Sequence, residues 1–239
     1  MRPQRYENGG SLSAGNRKRS DGRDLEPIDR LQGLGAALVS DCLDRLGQDG
    51  AVMAPRIRPL SPQFRVAGYA ATVRVTTVDA PPEDFDDAYK MEIAAVDAMQ
   101  PGDVMVVSES EGAAFWGELL ASASRVRGAV GVVADSCARD ASSLVAMGFP
   151  SFVRGLDPRD SYGRLDVDAI GVTVSCGGVV VRSGDCVVAD VDGVVVVPEE
   201  KILEVVMMAE EKRLTEDVMR GELRDGLSMR EAFAKFKVL

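Results

Sequence analysis

A chain of 239 residues with 46% apolar and 28% charged residues can bury its own core without a disulfide or structural metal. Its 28 Lys plus Arg against 38 Asp plus Glu leave a net charge of −10, which argues against nucleic acid or an anionic membrane as partner. There is no histidine, which excludes Ser-His-Asp and Cys-His catalysis and His-ligated zinc.

Residues 1–24 are rich in Gly, Ser, Asn and Arg and almost devoid of large apolar side chains, which predicts a disordered tail. From Leu25 onward there is no linker or break in composition, so 25–239 reads as one domain. Leu31, Leu34, Leu38, Cys42 and Leu46 recur at helical spacing and predict a helix that stops near Gly47. The segment 65–78 alternates and is rich in β-branched residues, which predicts a strand. A helix is expected over 86–99, then a turn at Pro101-Gly102-Asp103 feeding a strand over 104–107. A helix over 116–126 and a wholly apolar, buried strand over 129–134 follow. Next come a short helix over 139–147 and a strand over 149–153.

Short Val-rich runs at 172–174, 179–182, 186–189 and 194–197 are separated by Gly177-Gly178, Ser183-Gly184-Asp185 and Asp192-Gly193, the turn chemistry of β-hairpins. Pro198-Glu199-Glu200 opens a long helix to about residue 220, and a last short helix covers 228–236. Sparse aromatics, at 5%, and abundant Val and Ala suit small buried strands backed by helices, so the class is α/β. No apolar signal region or stretch of ~18 apolar residues is present. Cys42, Cys137, Cys176 and Cys186 form no CxxC pair. The expectation is a cytoplasmic protein with reduced thiols.

Without histidine, chemistry falls to carboxylates, Arg, Lys, backbone amides or a hard metal held by oxygen. One candidate is Asp135-Ser136-Cys137-Ala138-Arg139-Asp140, directly after the apolar strand, where open α/β sheets place their ligands. Asp140 can hold a divalent cation whose other ligands are water, which suits Mg²⁺ or Mn²⁺. Arg139 offers a planar fork for a carboxylate or enolate oxygen. The same spacing also fits an Asp capping a helix beside an Arg–Asp ion pair. A second candidate is the loop at Gly117 and the first amides of the helix after it, which favour an anion; an ordinary helix start has the same appearance. The lysines (Lys18, Lys90, Lys201, Lys212, Lys235 and Lys237) interrupt no buried strand, which disfavours imine catalysis.

Five pieces follow one another in order: Trp116-Gly117-Glu118-Leu119-Leu120; Ala134 to Asp140; Phe149 to Gly155; Cys176-Gly177-Gly178-Val179; and Gly184-Asp185 through Ala189-Asp190 to Asp192-Gly193 and Pro198. Together with Asp41 to Gly47 they resemble the RraA-like family, in its 4-hydroxy-4-methyl-2-oxoglutarate / 4-carboxy-4-hydroxy-2-oxoadipate aldolase branch. Ser136 stands where that family usually has Gly, and the N-terminal tail is longer than its core requires.

The resemblance implies a swivelling β/β/α-type single domain with N- and C-terminal helices, assembled as a homotrimer or homohexamer with sites between subunits. It implies a metal-dependent aldolase that releases pyruvate from a 2-oxo acid and also decarboxylates oxaloacetate. Asp140 would hold the metal, and Arg139 would contact the pyruvyl oxygens. The amides of Gly117, Glu118, Leu119 and Leu120 would bind the substrate carboxylate. Glu118 and, from a neighbouring subunit, Glu216 would handle water, with Asp135 close by. A rival implication is a regulator that binds a ribonuclease. A methyltransferase activity is disfavoured because no Gly-rich nucleotide loop follows a first strand.

Overall fold

In the computed structural model, described over residues 18–238, alternation along the central strands sends successive side chains into two cores. The chain runs through α1 (Glu26–Leu31), α2 (Ala36–Arg45), β1 (Arg58–Pro59), β2 (Val66–Thr77), α3 (Lys90–Asp97), β3 (Asp103–Val107), β4 (Ala114–Trp116) and α4 (Glu118–Val126). It continues through β5 (Gly131–Ala138), α5 (Ala141–Met147), β6 (Ser151–Leu156), β7 (Leu165–Ile170), β8 (Val174–Cys176) and β9 (Val179–Val181). It ends with β10 (Cys186–Ala189), β11 (Val194–Val197), α6 (Ile202–Arg224) and α7 (Met229–Phe236).

The main sheet has the order β1-β6-β5-β3-β2-β10-β11, with β4 added to β5 and β7 added to β2. Strands β2, β3, β5 and β6 are parallel neighbours, while β10, β7 and β1 join antiparallel. The long β2 pairs with β10 along its first half and with β7 along its second, on one side throughout. This is the expected α/β architecture, a mixed sheet backed by helices.

Met105, Val107, Val132 and Ala134 join Trp116, Leu144 and Phe149 in the core that contains residues of α3, α4 and α5. Val104, Val106 and Val133 face the opposite way, against Phe152, Met53, Ile57 and the β8–β9 hairpin. A third apolar cluster packs α1, α2 and α6 over β10 and β11 through Leu31, Val39, Leu43, Val205 and Val206.

Several expected boundaries move, each for a tertiary reason. Residues 1–17 of the expected tail lie outside the described residues, but 18–24 form a turn closed by a Lys18–Asp24 bridge. Buried Arg19 bonds the Asp103 carboxylate at 2.5 Å and the Pro101 carbonyl at 3.2 Å. That tether is ionic, so a reading that weighs apolar surface does not register it. The stripe from Leu31 to Leu46 belongs to two helices, because Gly35 turns left-handed (φ 83°) and the Asp190 carboxylate accepts the Ala36 amide at 2.9 Å. The helix expected over 86–99 shortens to α3 behind a left-handed Tyr89 (φ 59°). The strand expected at 172–174 begins at Val174, and β4 and β7 are additional. In β7, Leu165 and Val167 are buried and Asp166 and Asp168 exposed, an alternation disguised by aspartates uncommon in strands.

Candidate active site

Two parallel-strand ends converge on one cleft. The first β-turn-helix unit ends β4 at Trp116, passes extended Gly117 (φ −155°, ψ −178°) and starts α4 at Glu118. The second ends β5 at Ala138 and delivers Arg139 and Asp140 before α5. The Arg139 amide donates to the Trp116 carbonyl at 2.8 Å, which stitches the two turns side by side. Gly117 lets the two turns approach closely: a Cβ on it would sit 3.0 Å from Asp140 Oδ2 and 3.3 Å from Arg139 Cγ, and those side chains would have to shift.

The backbone of Asp140 starts α5, its carbonyl accepting the Ser143 and Leu144 amides at 2.9 and 3.0 Å. Its side chain makes no capping bond, although Asp at this position ordinarily caps. Residue 140 is instead left-handed (φ 58°, ψ 32°), and Oδ2 turns toward the Glu118 amide at 3.3 Å. The closest approach of Arg139 Nε to Asp140 is 3.8 Å, and both side chains are partly exposed, so the pair is loose and open to solvent. The Arg139 guanidinium reaches Asp160 Oδ2 at 2.6 Å. The Glu118 carboxylate accepts from Ser122 Oγ at 2.9 Å, which fixes it at the first turn of α4.

Gly117, Glu118, Leu119, Leu120, Arg139 and Asp140 thus border a single cleft of about 370 Å³. Two other expected residues lie elsewhere in this chain. Asp135 is fully buried inside β5, which runs four residues past the expected end at Ala134, and its carboxylate meets Arg56 instead of the cleft. The strand continues because a register shift between Ala134 and Cys137 lets β5 keep pairing with β6 through Ala138. Glu216 lies on α6 facing Lys212 at 3.4 Å and Arg220 at 3.9 Å, and borders no part of this cleft.

The far wall has residues that no motif marked: Tyr89 and Glu92 from α3 and its start, and Asp160 and Ser161 from the loop after β6. Tyr89 Oη donates to Asp160 Oδ1 at 2.8 Å, and Ser161 Oγ donates to Glu92 Oε2 at 3.2 Å. Burial raises the Asp160 carboxyl, but the Tyr162 amide, the Tyr89 hydroxyl and Arg139 outweigh it, so the net shift is downward. Glu92 goes the other way. Its 8% exposure is the largest cause, and the nearby Asp160 and Asp166 add to it, so its carboxyl is pushed up to about 7 despite Ser161 and Arg139. In sequence Glu92 is one acid inside the helix expected over 86–99, which ordinarily signifies a solvated position.

That shift predicts an unusual pH dependence. The folded Glu92 holds its proton up to about 7, whereas an unfolded one releases it near 4.5. Stability therefore falls as pH rises between those values, and the full penalty is present above the folded value. Glu92→Gln should raise stability by roughly 2–3 kcal/mol at pH 8 and have little effect at pH 4.5, read as urea midpoints at the two pH values. Equal effects at both would show that Glu92 carries no raised pKa.

The four cysteines are all free, with Cys42, Cys176 and Cys186 buried. Among the described residues no helix is long and apolar enough to cross a membrane. Nor does any group of three or more His, Cys, Asp or Glu side chains gather to hold an ion. A cation at this cleft would take the Asp140 carboxylate and otherwise water, a donor set that fits Mg²⁺ or Mn²⁺ and not zinc.

Fold and cleft together define an α/β domain with a guanidinium, a carboxylate and a helix start facing one cleft. The chain belongs to the RraA-like family, described as Aldolase/RraA, whose pattern matches residues 36–196. It is 28% identical over 215 residues to a Halalkalibacterium halodurans protein provisionally named 4-hydroxy-4-methyl-2-oxoglutarate aldolase, covering 88% of this chain and 94% of that one. A solved structure of an uncharacterized Pseudomonas syringae pv. tomato protein superposes with a TM-score of 0.73 at 28% identity, over 86% of this chain and 96% of that one. Streptomyces coelicolor RraAS2, described as an unusual member of the RNase ES inhibitor RraA protein family, gives 0.72 at 30% identity, over 82% and 98%.

Proposed function

We propose that this chain is a carbon–carbon lyase that cleaves a 4-hydroxy-2-oxo acid to pyruvate and a second carbonyl compound. The observation that carries this reading is the orientation of Asp140. Its backbone starts α5 while its carboxylate leaves that helix uncapped, takes only a long 3.3 Å bond from the first amide of α4 and lies at the cleft beside Arg139. The aldolase name of the Halalkalibacterium relative supports the same chemistry.

The amides of Gly117, Leu119 and Leu120, and that of Glu118 once it leaves Asp140 Oδ2, would receive the substrate carboxylate, aided by the positive end of α4. Arg139 would hold the 2-oxo oxygen and exclude water from it. As the C3–C4 bond breaks, the 4-hydroxyl loses its proton and C4 becomes a carbonyl. The bonding pair passes to C3 and the 2-oxo oxygen, and the resulting enolate is protonated at C3 to give pyruvate. Arg139 is aimed where that negative charge develops. Glu118, held by Ser122, would move the proton through water. Asp140 would hold Mg²⁺ or Mn²⁺, which when bound supplies Lewis-acid stabilisation of the same charge. Glu216 could take part only from a neighbouring copy, in a homotrimer or homohexamer. Decarboxylation of oxaloacetate gives the same enolate and should be a side activity.

The purified chain should release pyruvate from a 4-hydroxy-2-oxo acid with Mg²⁺, and excess chelator should reduce the rate to background. Release that persists with chelator would discard the metal, and none in either case would favour a binding protein of the kind named for RraAS2.

A further inference from the structure

Cleavage of a 4-hydroxy-2-oxo acid moves two protons: one leaves the C4 hydroxyl and one arrives at C3 of the enolate. Glu118, fixed by Ser122, serves the first through water. The second needs a group that holds a proton near neutral pH, and one that can be recharged while substrate fills the cleft. Glu92 is placed for it. It borders the cleft on the far wall, almost fully buried. Ser161 Oγ occupies its Oε2 at 3.2 Å, and among the described residues Oε1 has no hydrogen-bond partner, so one oxygen is left for a substrate. Behind it lies a second recess of about 250 Å³, bordered by Val78, Pro82, Asp87, Tyr162 and Asp166. Pro82, Asp87 and Asp166 are exposed, so this recess opens to water. Among the described residues, Glu92 and Tyr89 border both cavities. The Glu92 carboxyl thus stands between the substrate's place and a separate path to solvent.

We propose that Glu92 is a catalytic residue of this cleft, the acid that gives C3 of the enolate its proton and the base that removes it in reverse. The proposal rests on the lyase reading and deepens it. In the cleavage direction the O–H bond of the Glu92 carboxyl breaks, the enolate electron pair forms a C–H bond at C3, and the 2-oxo group is restored. Glu92 is left as a carboxylate and takes its next proton from water in the recess. The proton lost by the C4 hydroxyl leaves through the water at Glu118, so protons balance over a turnover and nothing is oxidised or reduced. Burial raises the Glu92 carboxyl to about 7, where one group both gives and accepts a proton at working pH. Asp160 beside it is shifted downward and stays ionised, and such a divergence of neighbouring acids marks which of them carries the proton. The groups that face Glu92 are Ser161 and Asp160 from the loop after β6, Arg139 from the end of β5 and Asp166 from β7. Asp87 shares the recess with it, and Glu118 and Asp140 share the cleft. A divalent cation at Asp140 would favour the ionised form of Glu92, so its titration is read with Mg²⁺ bound.

The methyl hydrogens of pyruvate report this step by itself. Their exchange with D₂O requires removal and return of a C3 proton but no carbon–carbon cleavage. With the full chain, Mg²⁺ and pyruvate, proton NMR should show enzyme-dependent exchange, and Glu92→Gln should slow it at least about 100-fold. The melting midpoint of Glu92→Gln at pH 8 should be no lower than that of wild type, a combination that a merely structural Glu92 does not give. The ionised carboxylate is the base in this direction, so the wild-type exchange rate should rise with pH and level off above the Glu92 value. A smaller loss of exchange in Glu92→Gln overturns the proposal and leaves the lyase reading standing. Cleavage of a 4-hydroxy-2-oxo acid by a wild-type chain that exchanges nothing does the same. Neither exchange nor cleavage overturns both. Should Glu92→Gln fail to fold, the wild-type profile decides, and a rate flat from about pH 5 to 8 overturns the proposal.

Discussion

Arg139→Ala should lower kcat/KM for pyruvate release by about 10²–10³-fold while leaving the thermal midpoint almost unchanged. The guanidinium is the cationic side chain that borders the cleft among the described residues, and it lies where the enolate charge would form. Removing it leaves that charge to the helix start and to solvent. Stability should survive because Arg139 is 37% exposed and its partner Asp160 is 29% exposed, so the ion pair between them contributes less than about 1 kcal/mol. Arg139→Lys should recover only part of the loss, since an ammonium restores the charge without the planar fork. Steady-state pyruvate release and a melt followed by circular dichroism, on the same preparations, separate the outcomes. An unchanged kcat in Arg139→Ala would remove the lyase assignment. A collapsed melt would make Arg139 a structural residue.

The aspartates of the sequence motifs explain why Arg139 and Asp140 stand out. Asp185 accepts the Arg182 amide at 2.8 Å and the Glu199 amide at 3.1 Å, closing the turn before β10. Asp190 accepts the Ala36 and Asp192 amides at 2.9 and 3.0 Å, and so fixes the start of α2 and the β10–β11 turn. Asp135 accepts the Gly177 amide. Asp140 receives one weak amide contact, at 3.3 Å, and keeps its carboxylate at the cleft. Motif membership alone therefore does not mark a cleft residue, and hydrogen-bond partners separate the aspartates that close backbone turns from the one whose carboxylate stays at the cleft.

The part of the site that was legible in sequence consists of residues adjacent along the chain. Gly117 to Leu120 and Arg139-Asp140 each follow a strand directly, so strand-end logic finds both and the Arg139 amide joins them. Tyr89, Glu92, Asp160 and Ser161 enter the cleft from a helix start and a loop that pair only in space, and nothing local marks them. The sheet was legible where periodicity was clean, as in β2, β3, β10 and β11, and obscured where aspartates interrupt β7 or where β4 is three residues long. Helix ends were least legible, because Asp190 and Tyr89 set them through a long-range bond and a left-handed residue. The turn 18–24 was misread for a related reason: Arg19 is held by charge, and the pairing carboxylate is 84 residues away.

Asp135→Ala should destabilise the fold by about 2 kcal/mol, because the Gly177 amide loses its buried acceptor while the half-exposed Arg56 turns to solvent. Asp135 looked in sequence like a neighbour of the proposed catalytic pair, but its carboxylate fastens three segments on the other side of β5. Arg56 grips it with Nε at 3.0 Å and Nη2 at 2.6 Å, and the Gly177 amide in the β8–β9 turn donates at 2.9 Å. The Ala54 amide in turn donates to the Gly177 carbonyl at 2.7 Å, so the loop at 53–57, the hairpin and the central strand share one junction. With alanine at 135, a buried amide loses its acceptor and Arg56 its bidentate partner. Burial alone would raise the Asp135 carboxyl, but Arg56, the Gly177 amide and Arg154 outweigh it and hold it below its usual value of 3.8. The sign is thus opposite to that of Glu92. The stabilisation from Asp135 is present above the ordinary carboxylate range and disappears as pH falls through its folded value. Denaturant midpoints should show wild type losing this advantage over Asp135→Ala on acidification, while Arg139→Ala tracks wild type. If Asp135→Ala keeps its midpoint and loses only activity, the buried clamp is wrong and Asp135 belongs to the chemistry after all.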